Sequence, residues 1–132
     1  MSQENVEFVR VSMDVWNTGD MDAYRELFDP DAVVRPPPRW PEPGPFVGRD
    51  AVARFFEQAR DTWDADALER ISDFVDAGNR VVVRFVWRTR GRGPAAVMEI
   101  SCVAMVRDGK MLSMDFFWDH TQALEAVGLR EE

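Results

Sequence analysis

Up to Trp63 the chain places its apolar side chains three or four positions apart, and from Leu68 onward the spacing drops to two. Val6, Val9, Met13 and Trp16 mark one face of a first helix. Asn17-Thr18-Gly19 supplies a left-handed stop, and Asp20 can cap the next helix. That stretch, MDAYRELF, sets Tyr24, Leu27 and Phe28 on one side and predicts a second helix ending before Asp29-Pro30. AVVR is too short for anything but a strand. Helical spacing resumes in GRDAVARFFEQARDTW through Val52, Phe55, Phe56, Ala59 and Trp63. Between that strand and that helix lies PPPRWPEPGPF, which holds six of the chain's eight prolines and forbids a regular helix or a central strand.

In the second half, Val81, Val83, Phe85 and Trp87 alternate with Arg84, Val86 and Arg88, the signature of a strand with one apolar face. Ala95 to Val106 predicts another strand, Asp108-Gly109 a tight hairpin turn, and Lys110 to Asp119 a last strand. TQALEAVGL closes the chain as a short helix. Helices first and an antiparallel meander after them predict an α+β fold, a curved sheet wrapped around three N-terminal helices plus a short C-terminal one. With 132 residues and no internal repeat or linker, residues 1–132 read as a single domain.

Composition narrows the function classes. A net charge of −8 repels phosphate backbones and anionic lipid, so neither nucleic acid nor membrane is an expected partner. No apolar run approaches bilayer length, and MSQENVEFVR lacks the basic and apolar regions of a secretory signal. The single Cys102 excludes an internal disulfide framework and fits a reducing cytoplasm. One histidine, one cysteine and scattered carboxylates show no metal-ligand spacing, and there is no phosphate-cradling glycine loop or GxSxG turn. Neither a metal nor a cofactor is expected.

Three phrases, taken in order, carry a resemblance: WNTGDMDAYRELFDPDAVV, FVGRDAVARFF and VRDGKMLSMDFFWDHTQALEAVGL. Together they resemble the NTF2-like superfamily, which includes ketosteroid isomerases, SnoaL-type polyketide cyclases and limonene-type epoxide hydrolases. The resemblance spans almost the whole chain and implies a cone-shaped fold with a pocket at its wide end. It also implies positions for catalytic groups. Those of a ketosteroid isomerase fall on Pro36, Ser12 and Cys102, none of which suits that chemistry. The hydrolase arginine and first aspartate fall on Phe85 and Trp87, and the water-holding pair on Val34 and Pro36. The cyclase histidine falls near Thr89 and Arg90. The aspartate at the end of the last strand, shared by the hydrolases and cyclases, matches Asp119.

Asp119 is therefore the candidate catalytic residue, read either as an acid/base or as a plain N-cap for the closing helix. Facing inward beside Phe117, its ionised form would be poorly solvated, as suits proton transfer near neutral pH. His120 next to it would point the other way, and Tyr24 and Asp115 are weaker candidates. The predicted pocket is large and apolar. Its helix wall would hold Trp16, Tyr24, Phe56 and Trp63, and its sheet wall Phe85, Trp87, Met98, Ile100, Cys102 and Phe117. Trp40, on the proline-stiffened loop, reads as a lid. The expected ligand is a hydrophobic small molecule, bound either by an enzyme or by a non-catalytic binding or dimerisation domain. Arg84, Arg88 and Arg90 share the face opposite Phe85, where Glu99 offers Arg84 a cross-strand ion pair. Met114, Phe116 and Trp118 are expected on that outer face too, which predicts a homodimer paired through it.

Overall fold

The computed structural model describes residues 2–63, 65–89 and 97–129, without the side chains of 2, 62, 63, 65–67 and 89. Helix α1 (Ser2–Thr18) ends where Gly19 takes φ +82°, and Asp20 caps α2 (Met21–Arg25) by accepting from the Ala23 N–H at 3.0 Å. β1 (Phe28–Arg35) leads through the proline-rich loop to β2 (Phe46–Val47) and α3 (Arg49–Trp63). Strands β3 (Ala65–Arg70), β4 (Val75–Ala77), β5 (Arg80–Thr89), β6 (Val97–Arg107) and β7 (Lys110–Phe117) come next, then α4 (His120–Ala126). They form an unclosed, curved sheet in the order β2-β1-β7-β6-β5-β3, with β4 also on β5. The expected α+β architecture is present. Every strand pair is antiparallel except β1 and β7, which run parallel.

The second helix is shorter than its apolar spacing predicts. It stops at Arg25, and Phe28, placed in that helix by periodicity, opens β1 instead. There Phe28 is fully buried, its ring 5.3 Å from that of Tyr24, so core packing overrides a weak local preference.

The core lies on the concave face of the sheet, under α1 and α3. Val83, Phe85 and Trp87 of β5 point into it, opposite Cys102, Ile100 and Met98 of β6. Two backbone anchors hold α1 in place. The Asn17 amide accepts from the Leu68 N–H at 2.7 Å and donates to the Leu68 carbonyl at 3.0 Å, tying α1 to β3. Arg60 of α3 donates to the Trp16 carbonyl at 2.7 Å, a cation at the C-terminal end of α1.

β7 corrects the expected facing of the last strand. Around the turn at Asp108 and Gly109, both at positive φ, Arg107 pairs with Lys110 and Val106 with Met111. The register then shifts, so that Met105 faces Ser113 and Leu112 has no opposite residue. An unbroken alternation from the buried Met111 would send Ser113, Asp115, Phe117 and Asp119 inward. One extra residue reverses every later side chain, and Met114 and Phe116 face the core instead. Phe117 lies on the other face, packed with Val82, Val103, Ala123 and Leu124 where α4 covers the convex side. The apolar outer stripe of Met114, Phe116 and Trp118, the basis for expecting a homodimer, is therefore not on that face. The expected Arg84–Glu99 pair is there, at 2.6 Å, and Arg88 meets Glu69 at 2.9 Å; Arg90 lies outside the described residues.

Candidate functional site

Between α1, α3 and the concave sheet lies a cavity of about 60 Å³. Trp16 lines it, with ring centroids 5.2 Å from Tyr24, 5.8 Å from Phe56 and 6.0 Å from Trp87, all edge-on. Phe85, Ile100 and Cys102 of the sheet also line it, beside Leu68, Val83, Met114 and Phe116. Met98 packs against the core without lining the cavity, Phe117 is on the far face, and the Trp63 side chain lies outside the described residues. The lining that sequence reasoning missed includes Ser12, Pro37, Phe55, Ala59, Leu68 and Val83, and four further residues show how the misses arose. Val9 and Met13 sit on the same helix face as Trp16 and were legible from that spacing; Met114 and Phe116 were hidden by the bulge.

The proline-rich loop does close over this space. Trp40 lines it, stacked on Trp87 at 6.1 Å and 15°, with Phe55 at 6.4 Å. A turn places it: the Trp40 N–H donates to the Pro37 carbonyl at 3.2 Å, with Arg39 at φ +68° in the slot that favours glycine. Trp118 holds the loop down, its indole donating to the Pro38 carbonyl at 2.6 Å. Beyond Trp40 opens a wider cleft of about 570 Å³, bordered by Arg35, Asp115, Phe117 and Gln122. Asp115 there is paired with Arg35 at 3.0 Å. Trp40, Pro37 and Phe116 border both spaces and separate them.

The expected large pocket is thus small in this conformation. A dry cavity of about 150 Å³ is known to take up benzene. At about 60 Å³, this one is less than half that size.

Asp119 stands elsewhere. Its side chain is exposed and accepts from the Thr121 N–H at 2.8 Å, making it the N-cap of α4, and it borders neither space. His120 sits over the convex face, its Nδ1 2.8 Å from the Oγ of Ser101. That serine is only 1% exposed, so the pair ties α4 to the sheet and offers no accessible nucleophile. Among the described residues no group of three or more His, Cys, Asp or Glu is placed to hold a metal ion, and no helix is long and apolar enough to cross a membrane.

The polar atoms of the cavity wall are few. Ser12 donates to the Val9 carbonyl at 2.6 Å. Burial pushes the Tyr24 phenol well above its ordinary range, with Cys102 beside it adding to the effect. Burial likewise pushes up the Cys102 thiol, helped by the charge of Asp115. Trp16 and Trp87 are the exceptions: both Nε1 atoms are buried with no hydrogen-bond partner among the described residues. An unsatisfied buried donor costs about 1–3 kcal/mol, so the fold carries a penalty at both rings.

The two raised groups set a pH dependence. Each holds its proton more tightly folded than unfolded, so the folded state binds more protons once the unfolded group begins to ionise. These two groups leave stability unchanged below the ordinary thiol range, near about pH 8.5, and lower it as pH rises through that range and then through the phenol range near about 10. Melting temperatures measured across that interval test this. Cys102→Ala should flatten the first part of the decline.

The SnoaL-like domain family matches residues 9–114. The chain belongs to that family. No curated protein matches the sequence of this SnoaL-like domain. Its structure is similar to that of a protein from a soil-derived mobile gene cassette, with TM-score 0.78, 21% identity and coverage of 87% of this chain and 88% of the other. It is similar to an NTF2-like protein of unknown function from Burkholderia pseudomallei, with TM-score 0.73, 19% identity and coverage of 94% and 97%. SalBIII, described as an epoxide hydrolase/cyclase-like enzyme in pyran ring formation in the polyether salinomycin, gives TM-score 0.76, 23% identity and coverage of 90% and 95%. At these identities the likeness is one of fold, and the chemistry of this SnoaL-like domain must be argued from its own cavity.

Proposed function

We propose that the protein binds an uncharged, largely apolar small molecule in the concave cavity, with Asp119 serving only as a helix cap. One observation carries this reading: among the described residues no carboxylate, imidazole or amine lines the cavity. General acid–base catalysis needs a group that titrates near working pH and reaches the substrate. The phenol and thiol at hand both stay protonated.

Titration with indane, monitored by tryptophan fluorescence, tests the reading, and saturable binding is expected. Asp119→Asn should leave that binding and the melting temperature unchanged, because asparagine caps a helix about as well as aspartate. Asp119→Ala should lose about 1 kcal/mol of stability through the lost cap. Weakened ligand binding in Asp119→Asn at unchanged melting temperature would contradict a purely capping role.

A second reading rests on Asp115. Its carboxylate lies in the outer cleft, next to the side chains that wall the cavity, and is paired with Arg35. With Trp40 displaced, a bound molecule spans both spaces, and Asp115 then becomes the acid/base of a hydrolase or cyclase. SalBIII, described as epoxide hydrolase/cyclase-like, lends that reading support by analogy of fold. Asp115→Asn separates the two: a binding protein keeps its affinity, whereas an enzyme loses turnover on an epoxide probe.

A further inference from the structure

Arg39 occupies a backbone slot that favours glycine. The Trp40 N–H donates to the Pro37 carbonyl, with Pro38 second in the turn and Arg39 third at φ +68°. That is the form of turn that normally takes Pro-Gly. A side chain held in this conformation is strained, and strained positions gather at functional sites. The position is also pinned, because the Trp118 indole donates to the Pro38 carbonyl just before it. The root of the Arg39 side chain is thereby fixed at the border of the outer cleft of about 570 Å³.

The charges around that cleft do not cancel. Arg35 gives its Nη1 to Asp115 at 3.0 Å and stays more than half exposed. Among the described residues, neither its remaining N–H groups nor the Arg39 guanidinium has a partner. Two arginines against one aspartate leave the lining one surplus positive charge, in a chain whose net charge is −8. A single negative charge balances it, and a second would meet Asp115 uncompensated. The planar fork of a guanidinium matches the two oxygens of a carboxylate. The rest of the wall is made of rings: Pro36, Pro43, Trp40 and Phe117, with Gln122 adding an amide. Such a surface suits a flat ring system.

We infer that the outer cleft is a binding site for an aromatic monocarboxylate, its carboxylate held by Arg39 and the remaining N–H groups of Arg35, its ring against the proline and aromatic side chains. The cleft's volume lies within the range of about 300–1,000 Å³ common for small-molecule sites. Trp40 separates it from the concave cavity, so this site stands whether or not that cavity binds a ligand.

Calorimetric titrations of the whole protein with 2-naphthoate, 2-naphthamide and acetate separate the charge from the ring. Naphthoate should bind about tenfold more tightly than either, the scale of one hydrogen bond to a charged group. Its advantage over the amide should shrink with added salt, because exposed ion pairs are screened. Arg39→Gly should abolish that advantage while raising the melting temperature, since glycine suits φ +68°. Arg39→Gln keeps the strain, removes only the charge, and should abolish the advantage at an unchanged melting temperature. Naphthoate binding no tighter than that of naphthamide or of acetate overturns the site, as does its full retention in Arg39→Gln. A melting temperature that fails to rise in Arg39→Gly would mean that the arginine serves the fold, and overturns it as well. Each of these failures leaves the indane-binding reading of the concave cavity untouched.

Discussion

Trp16→Ala should lower the unfolding free energy by about 3–5 kcal/mol, the range for removing a large buried aromatic. Trp16 is the ring on which α1, α2, α3 and β5 converge, through Tyr24, Phe56 and Trp87, and the Arg60 guanidinium lies 4.8 Å from its centroid. Its loss would leave a void that four elements border and none can fill alone. Domains of this size are stable by about 5–15 kcal/mol, so the variant should fold only marginally. Trp16→Phe should be far milder, about 1 kcal/mol, because it also removes a donor that folding leaves unbonded. Denaturant melts of both variants give the comparison. Near-equal losses for alanine and phenylalanine would mean that the ring itself contributes little.

Trp40→Ala should act on binding more than on stability. Trp40 is half-buried and, among the described residues, touches the rings of Trp87, Phe55 and Trp118. Aromatic pairs contribute about 0.5–1.5 kcal/mol each, so these contacts together favour the closed position by about 2–4 kcal/mol. A ligand that must first displace the ring has its apparent affinity reduced by the rarity of the open state, tenfold for about every 1.4 kcal/mol. Removing the ring should therefore tighten and speed indane binding by about ten- to a hundredfold, while costing about 1–2 kcal/mol of stability. Stopped-flow fluorescence and a thermal melt measure the two effects. Unchanged association kinetics would show that ligands enter by another route.

What could be read from the sequence divides along physical lines. Features set by local chemistry were legible: the Gly19 stop, the Asp20 cap, the Asp108-Gly109 hairpin, the α3 limits and the Arg84–Glu99 pair each depend on a few neighbouring residues. Part of the cavity wall was legible too, because alternation along β5 assigns Phe85 and Trp87 one face. The errors came from events that alternation does not register. Phe28 left its helix for a strand because Tyr24 and the core offered it a better site. The unpaired Leu112 turned Met114 and Phe116 inward and put Phe117 outside. The unsatisfied indoles leave no trace in the sequence, since a tryptophan's missing partner is a fact of three dimensions.

The slack residue at Leu112 also bears on how relatives of this protein are compared. Residues aligned column by column across the last hairpin correspond in chemistry only when both chains carry the same bulge. A relative with one residue fewer there would show its binding chamber the side chains that this protein shows to α4. A conserved-looking aspartate or phenylalanine after that point would then do opposite jobs in the two proteins. Lineages with this fold thus have a cheap route to a new cavity lining: a single codon gained or lost near the start of the last strand exchanges the side chains of one wall, leaving the rest of the scaffold untouched.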